Sequence, residues 1–258
     1  MKSMMLILIP FALFGRSIYV DSNMPVSGDG SSWAQAYKTI GEATAANPQA
    51  GDRVLIKPGT YEEDVSITSS GAEIVAMTAG IQLVAPNIVR FPAGTDLSAI
   101  DVSSHPDEYY VYIARSRAGN NGVFQIVSKN AGSSQVTVTG TPFLAESGVN
   151  GDLTELSAAV GRPVIYRNSS SQPETERVII DCSNLASVWT ILYIGDAIGD
   201  GSSDAYPADF NIIDGIDLTG SQNGSGLHLQ SSNYNAYMNS RVYEQAGTGI
   251  LVAGNSTR

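Results

Sequence analysis

The chain carries a single cysteine, Cys182, among its 258 residues. One cysteine cannot form an internal disulfide, so packing and hydrogen bonds have to hold the fold together. Cys182 directly follows the apolar run Val178–Asp181, and neither histidine lies near it in the sequence. The pattern therefore predicts a buried small hydrophobic side chain and gives no indication of a nucleophile or a zinc ligand.

Positive charge is also scarce. The chain has 14 Lys and Arg but 25 Asp and Glu, which gives a net charge of −11. The basic residues do not cluster, and phosphate contacts need clustered Lys and Arg, so the sequence argues against nucleic-acid binding. Charged residues make up only 15% of the chain and hydrophobic residues 43%. This balance excludes a disordered acidic chain. The sequence shows no phosphate-binding loop, catalytic-triad pattern or dinucleotide fingerprint.

Long apolar runs are absent outside the N-terminus. There, Lys2 precedes an apolar stretch of about ten residues, which resembles the core of a secretory signal. A membrane-spanning helix needs about twenty residues, so no membrane span is expected. Residues 1–17 are predicted to be a signal peptide or leader, and the protein to be secreted or at the cell surface. A strand or helix that caps the fold and a misplaced start codon are the alternatives.

Glycine is abundant, with 26 residues in 258, against a usual fraction of about 7%. From Arg53 to Val84, short apolar segments alternate with turns rich in Gly, Pro or Ser, which predicts short strands. Upstream of them, an apolar stripe at helical spacing predicts one amphipathic helix that covers an apolar end. The stripe is formed by Trp33, Tyr37, Ile40 and Ala43, with Ser31 or Ser32 as the N-cap.

An internal repeat lies near the C-terminus. Residues 224–229 match residues 247–252 at an offset of 23, and residues 213–215 match 238–240 at an offset of 25. A period of this length with strands and glycine turns predicts a solenoid. The Leu and Asn spacing of leucine-rich repeats is missing, so a coil of short parallel strands fits better. Leu227 and Leu229 are then expected to point inward and align with Ile250 and Val252.

Residues 91–173 break this rhythm. Gly122–Val127 and Gln135–Thr139 both alternate apolar and polar side chains and flank a polar turn, which predicts a β-hairpin. This stretch, closed by Val164–Arg167, is interpreted as an inserted antiparallel β-rich module. An insertion on one face of a repeat fold is a common place for partner contacts.

Several of these segments resemble the opening of right-handed parallel β-helix proteins of the pectin-lyase-like superfamily. They are Ile18–Asp21, Gly28–Trp33, Ala36, Tyr37, Ile40, Ala43, Gly51, Asp52, Val54 and Pro58–Tyr61. Val178–Asp181 and Ile213–Gly215 also look like coil segments of that group. The resemblance implies a Trp-bearing helix on the first coil. It leaves the activity open, since relatives include polysaccharide lyases, glycoside hydrolases, epimerases, surface proteins and phage tailspikes.

The predicted fold is thus an all-β, right-handed parallel β-helix with an N-terminal capping helix and an inserted antiparallel β-rich module. Residues 18–90 are predicted to hold the cap and first coils, 91–173 the insertion and 174–258 further coils. The last segment ends just after a strand with no capping element, which predicts either a truncated chain or a homo-oligomer formed through that end.

Candidate functional residues concentrate on the last coils. The richest set is Asp209, Asp214, Asp217, His228, Tyr237, Arg241, Tyr243 and Glu244. Asp217 and Arg241 are the candidate catalytic residues, because β-elimination from a uronide needs a base and a group that offsets enolate charge. A cross-coil ion pair on a solvated face is the alternative. Tyr237, Tyr243 and His228 are the candidate substrate-binding residues, although tyrosine also occurs on β surfaces without any ligand.

The expected partner is an extracellular polysaccharide, which the protein binds and in the leading hypothesis cleaves, as a lyase or a glycoside hydrolase. The alternative is a non-catalytic structural or adhesive protein, such as part of a surface or tailspike-like fibre. No cofactor is certain. Ca²⁺ is a candidate ligand of two Asp/Gly-rich turns, Ser27–Gly30 and Ile198–Asp204, which are otherwise plain turns.

Overall fold

The structure is a computed structural model that describes residues 15–77, 79–147, 156–195 and 208–253. Its hydrogen-bonded strands form three parallel sheets and one eight-stranded antiparallel sheet. The described residues are mostly β, with 41% of them in strands and 6% in helices. No helix in these ranges is long and apolar enough to cross a membrane. The predicted leader 1–17 falls almost entirely outside them.

The N-terminal cap differs from the predicted helix. Strand β1 (Ser17–Val20) is followed by a single 3-10 turn, Trp33–Gln35, and a separate helix α1 (Ile40–Ala45). The prediction of one helix through Trp33 is wrong, because the Tyr37 amide donates to the Tyr19 carbonyl at 2.9 Å and the chain there is extended. Ile40 and Ala43 are buried as predicted, but Thr39 caps α1 instead of Ser31 or Ser32.

The first coil contributes one strand to each parallel sheet. These strands are β2 (Arg53–Ile56), β3 (Gly59–Tyr61) and β4 (Val65–Ile67). β2 pairs in parallel with β1, while β3 and β4 begin the second and third parallel sheets. The two residues between β2 and β3 include Pro58, which cannot donate a backbone hydrogen bond and so breaks the strand there.

The next eight strands form the antiparallel sheet. They are β5 (Ala72–Met77), β6 (Gln82–Val84), β7 (Ile88–Arg90), β8 (Tyr110–Ala114), β9 (Gly122–Asn130), β10 (Gln135–Val138), β11 (Glu146–Ser147) and β12 (Ser157–Arg162). A second 3-10 turn, Ala131–Ser133, joins β9 to β10. These two strands pair antiparallel, which confirms the predicted hairpin.

The antiparallel sheet begins and ends earlier in the chain than the predicted insertion, residues 91–173. Two segments that the sequence assigns to the first coils belong to this sheet: segment 74–77 lies in β5, and segment 81–84 overlaps β6. β5 leaves the coils because it pairs antiparallel with β12, some eighty residues later. Val164–Arg167, predicted to close the insertion, instead pairs in parallel with β2.

The remaining strands complete three further coils. They are β13 (Val164–Asn168), β14 (Val178–Asp181), β15 (Thr190–Gly195), β16 (Asn211–Asp214), β17 (Ile216–Thr219), β18 (Ser225–Gln230), β19 (Ala236–Met238), β20 (Val242–Tyr243) and β21 (Ile250–Ala253). The first parallel sheet runs β1-β2-β13-β16-β19, the second β20-β17-β14-β3 and the third β21-β18-β15-β4. Each coil thus adds one strand to every parallel sheet.

The observed register supports most of the repeat. Leu227 pairs with Ile250 and Leu229 with Val252, which is the predicted offset of 23 residues. The other predicted alignment is wrong by one residue, because Ile213 pairs with Tyr237 and not with Met238. A slip of one residue turns each side chain to the opposite face of a strand, so this shift reverses the expected orientation of Tyr237.

An aliphatic core fills the space between the three parallel sheets. Val54, Tyr166 and Ile213 occupy successive positions of one buried ladder. Each buried aliphatic side chain contributes about 1.5–3 kcal/mol of transfer free energy. Cys182 belongs to this core, as predicted, and its thiol donates to the Glu63 carbonyl at 3.1 Å. Burial raises the pKa of that thiol to about 12.

The antiparallel sheet has its own core and also packs against the outer face of the first parallel sheet. At that junction Tyr110, Tyr112 and Ala159 contact Ile165, Phe210 and Ile212. The junction carries the cleft described below, and therefore positions a candidate site.

Candidate functional site

The two predicted catalytic residues, Asp217 and Arg241, do lie together, on the second parallel sheet. Asp217 Oδ2 is 3.3 Å from Arg241 Nε, and Oδ1 accepts from the Arg241 amide at 2.8 Å. A third residue, Arg177, completes the group: its Nε donates to Oδ2 at 3.0 Å and its Nη2 donates to Oδ1. Sequence reasoning missed Arg177, which lies 40 residues from Asp217.

This group is a buried ion pair. The Asp217 side chain is 2% exposed and Arg177 10%, whereas Arg241 is 64% exposed. Both carboxylate oxygens of Asp217 already accept hydrogen bonds, and the bond to Asp217 raises the pKa of the Arg177 guanidinium. A general base has to reach the proton that it abstracts. Asp217 instead has the environment of a structural anchor between coils.

The predicted sugar-stacking tyrosines have different environments. Tyr237 continues the inward ladder of Ile213, and its hydroxyl lies within hydrogen-bond distance of two carbonyl acceptors, Ile216 (2.7 Å) and Arg241 (3.0 Å). Burial raises the pKa of Tyr237 far above its usual value. Tyr243, on β20, is exposed at the surface beside Glu244. Only Tyr243 of the two therefore presents its ring to solvent.

His228 lies on the third parallel sheet, between Tyr193 and Leu251 of the neighbouring strands. Its ring meets the Tyr193 ring edge-to-face, with centroids 5.3 Å apart. Burial lowers the pKa of His228, so the imidazole is more readily neutral. The five predicted residues thus lie on, or directly beside, strands of three different sheets. Asp217 and Arg241 share the ion cluster, and the Tyr237 hydroxyl meets it at the Arg241 carbonyl.

A polar cleft lies where α1, β4 and β5 come close to residues before β16. Its volume is about 580 Å³, in the range of small-molecule sites. The lining combines amides, hydroxyls and carboxylates with one aromatic ring: Asn47, Gln49, Thr68, Ser69, Ser70, Gly71, Glu73, Asp209 and Phe210. Below, "the polar cleft" means this set of residues.

Asp209 is held in the cleft by its backbone and its side chain. Its amide donates to Ser70 Oγ at 3.0 Å, its carbonyl accepts from the Gly71 amide at 2.8 Å, and its carboxylate accepts from the Asn233 amide. Burial raises the pKa of the Asp209 carboxyl, and the Asn233 hydrogen bond offsets part of that effect. Glu73 lines the same cleft from the exposed side of β5.

Sequence reasoning found Asp209 but not the cleft. Its other walls are the turns that end α1 and β4, which the sequence marks only as breaks at Asn47-Pro48 and Ser70-Gly71. Ser70 and Asp209 are 139 residues apart, and no local pattern brings such positions together.

The first candidate calcium turn, Ser27–Gly30, has an ordinary hydrogen bond at its carboxylate. Asp29 Oδ1 accepts from the Ser31 amide at 2.9 Å, as in an ordinary Asx turn. The second turn, Ile198–Asp204, falls outside the described residues. Among residues 15–77, 79–147, 156–195 and 208–253, no group of three His, Cys, Asp or Glu side chains is arranged to hold a metal ion.

Comparisons with known proteins give only weak likenesses. No family model matches the chain, and no curated protein matches it. The tailspike of Pseudomonas phage phi297 has a TM-score of 0.27 and 13% identity, covering 92% of this chain and 52% of the tailspike. The tailspike of Pseudomonas phage LKA1 has a TM-score of 0.28 and 11% identity, covering 86% and 52%.

A third structure is the tailspike of Acinetobacter baumannii bacteriophage AP22 in complex with capsular saccharide. It has a TM-score of 0.25 and 10% identity, covering 78% of this chain and 53% of the tailspike. The chain thus spans about half the length of these tailspikes. Likeness at this level establishes neither a family nor a function.

Proposed function

We propose that this protein binds an extracellular polysaccharide in the polar cleft, without cleaving it, as part of a surface or tailspike-like fibre. The observation that carries the proposal is the lining of the cleft, where hydroxyl, amide and carboxylate groups surround a space of about 580 Å³. Sugars present many hydroxyls that both donate and accept hydrogen bonds, and such a lining offers partners of both kinds.

Two observations favour binding over cleavage of a uronide. Asp217 is buried and held by Arg177, and the exposed Arg241 is paired with the same carboxylate, so neither is a free catalytic group. In addition, Asp209 and Glu73 give the cleft negative charge in a protein of net charge −11. Like charges repel, so a neutral or amino-sugar glycan fits this cleft better than a polyuronate.

The architecture that we infer for this role is a right-handed parallel β-helix, of the type found in the pectin-lyase-like superfamily. Its support is the parallel pairing of one strand per coil in three sheets. Connections between parallel strands of one sheet are right-handed in nearly all proteins. Export is part of the same proposal, since an extracellular polysaccharide is met only outside the cell. Assembly into homo-oligomers is also part of it, because the proposed role is as part of a fibre.

The proposal is tested on a glycan array that includes neutral, amino-sugar and uronate polysaccharides, with capsular saccharides among them. Thr68→Trp places a large ring in the cleft from the exposed position directly after β4. Ser66→Trp makes the same change two residues earlier, at an exposed position of β4 that lies outside the cleft. We expect Thr68→Trp to lose the bound glycan and Ser66→Trp to keep it. Equal binding by both variants, or no glycan retained by the wild type, would contradict the proposal.

Glycoside hydrolysis is the second candidate function. Asp209, whose pKa is raised by burial, and the exposed Glu73 line one cleft, and hydrolases use two carboxyl groups in different environments as acid and base. Release of reducing ends from a bound glycan, abolished by Asp209→Asn and by Glu73→Gln, would favour hydrolysis. Intact glycan recovered after long incubation would favour binding alone.

A further inference from the structure

Trp189 is one of two tryptophans in the chain, and its ring lies open at the surface. The residue is 73% exposed, although tryptophan is largely buried in most folded proteins. Within the described residues, no aromatic ring or cation packs against the indole. Trp33, by contrast, packs edge-to-face on Tyr19 with centroids 4.8 Å apart and lies beneath the Lys57 ammonium. Of the two tryptophans, Trp189 therefore offers the open ring.

The backbone on both sides of the Trp189 ring is held in place. Val188 is buried in the aliphatic core, and the Trp189 carbonyl accepts from the Ser225 amide of the next coil at 2.8 Å. Thr190, on the other side, begins β15. A large ring on a fixed backbone loses little conformational entropy when a ligand stacks on it.

The next two coils leave space beside the ring, because each has glycine at the equivalent position. A Cβ at Gly224 would lie 1.7 Å from the Trp189 carbonyl oxygen, and a Cβ at Gly247 would lie 2.4 Å from the Gly224 carbonyl oxygen. Neighbouring strands lie about 4.8 Å apart, so the two glycines form a ledge of bare backbone about 10 Å wide. We call Trp189 with these two glycines the Trp189 platform.

The surroundings of the platform are polar. Asn223 and Thr248, which adjoin the two glycines, are exposed, and so is Glu62 on the first coil. Asn184, in the turn before Trp189, donates to the Glu62 carboxylate at 3.3 Å. An aromatic face among hydrogen-bonding groups suits a sugar, which has an apolar ring face and hydroxyl edges. A hot spot for a protein partner instead lies within a larger apolar patch.

We propose that the Trp189 platform binds a neutral pyranose ring of the polysaccharide, with the apolar face of the sugar on the indole and its edge over the glycine ledge. The exposed Glu62 carboxylate and the net charge of −11 disfavour an acidic sugar at this position. The inference rests on the proposed function and extends it, because it adds a second contact outside the polar cleft.

The platform and the polar cleft lie at opposite ends of two paired strands. Trp189 directly precedes β15, and Thr68 of the cleft directly follows β4. The two strands pair in parallel with Leu192 opposite Val65, which places Thr68 level with Gly195. The six residues from Trp189 to that level span about 20 Å. A polysaccharide long enough to cover this distance contacts both sites.

Tryptophan fluorescence tests the platform directly, because Trp33→Phe leaves Trp189 as the single tryptophan. The probes are soluble oligosaccharides of glucose, of N-acetylglucosamine and of galacturonic acid. We expect at least one of the two neutral probes to shift the Trp189 emission to shorter wavelength and to protect it from quenching by acrylamide. The galacturonate probe should do neither. In the control, Trp189→Phe, only Trp33 emits, and no probe should change its emission.

Three fluorescence results would overturn the platform. They are no protection of Trp189 by either neutral probe, equal protection by galacturonate, and an equal change of emission in the Trp189→Phe control.

Substitution of the ring gives a second measurement, on the glycan array. Trp189→Ala should weaken binding of the retained glycan about twofold to tenfold, because one aromatic contact is lost, whereas Trp189→Tyr keeps a ring and should retain most of it. The thermal midpoint of Trp189→Ala should match that of the wild type, since an exposed side chain contributes little to folding. Leu144→Ala is the control, because it shortens an apolar side chain that is 64% exposed on another part of the surface.

The array also separates the platform from the proposed function. Full binding by Trp189→Ala, or an equal loss in Leu144→Ala, would overturn the platform. If Thr68→Trp still abolished retention of the glycan in that case, the proposed function would stand with the polar cleft as its site.

Discussion

Arg177 and Asp217 form a two-point ion pair across neighbouring strands of the second parallel sheet, with both side chains almost completely buried. Arg177 also donates to the carbonyls of Pro173 and Asn239, each at 2.9 Å, so that its guanidinium joins three successive coils. Two parallel hydrogen bonds give such a pair geometric specificity as well as energy. The pair thereby links neighbouring coils through side chains as well as through the backbone.

Asp217→Asn is expected to lower the free energy of unfolding by about 3–5 kcal/mol, because it leaves the buried Arg177 charge without its counterion. Urea denaturation followed by circular dichroism measures the loss. Arg241→Ala is the control, since the Arg241 side chain is mostly exposed and its pair with Asp217 should contribute at most about 1 kcal/mol. Similar losses of unfolding free energy in the two variants would contradict the prediction that the buried pair contributes more stability than the exposed one.

Gly161→Ala is expected to destabilise the junction between the antiparallel sheet and the first parallel sheet. A Cβ at position 161 would lie 2.1 Å from Cδ1 of Phe210, whose ring is fully buried. Overpacking of this kind costs about 1–3 kcal/mol. The control is Gly132→Ala, where the added Cβ makes only an ordinary contact. Gly161→Ala should unfold at a lower temperature than Gly132→Ala. Equal midpoints of thermal unfolding would contradict this packing.

Thr39→Ala is expected to cost about 1 kcal/mol of stability, because it removes the N-cap of α1. Thr39 Oγ1 accepts from the Glu42 amide, and the Glu42 carboxylate accepts from the Thr39 amide, forming a capping box. Ser32→Ala should change stability by less than about 0.5 kcal/mol, since the Ser32 side chain makes no cap hydrogen bond. Chemical denaturation of both variants tests whether Thr39 is the N-cap of α1. A larger loss of stability in Ser32→Ala than in Thr39→Ala would refute this.

Asp209→Asn is expected to change how stability depends on pH. Burial raises the pKa of Asp209 above 3.8, so the folded state holds its proton more tightly than the unfolded state. The resulting stabilisation is complete below 3.8 and is lost as pH rises through the folded-state pKa. Relative to the wild type, Asp209→Asn should therefore gain stability with rising pH and then level off. Urea midpoints from about pH 4 to about pH 7 test this, with the exposed Glu73→Gln as the control.

Local patterns in the sequence predicted the parts of the fold that depend on near neighbours. The alternation in Gly122–Val127 and Gln135–Thr139 marked a hairpin, because a short turn brings those strands together. The repeat between residues 224–229 and 247–252 predicted the coil spacing, because each inward side chain must stack on its equivalent. The buried Cys182 followed from its apolar surroundings.

Predictions failed where a distant partner decides the outcome. The stripe from Trp33 to Ala43 has helical spacing, yet the backbone of Tyr37 pairs with β1 and ends the helix pattern. Segment 74–77 looks like a coil strand, yet β12 provides its hydrogen bonds. The observed offset is one residue shorter than the predicted offset of 25, and this difference turns Tyr237 from the surface toward the core.

The sequence by itself determined that this chain forms short strands stacked at a regular period around an aliphatic core, since apolar spacing and turn residues are local properties. Only the tertiary structure decided which polar groups meet. Arg177 reaches Asp217 across 40 residues, and Ser70 meets Asp209 across 139. Such meetings depend on how whole sheets pack, and no short stretch of sequence encodes that.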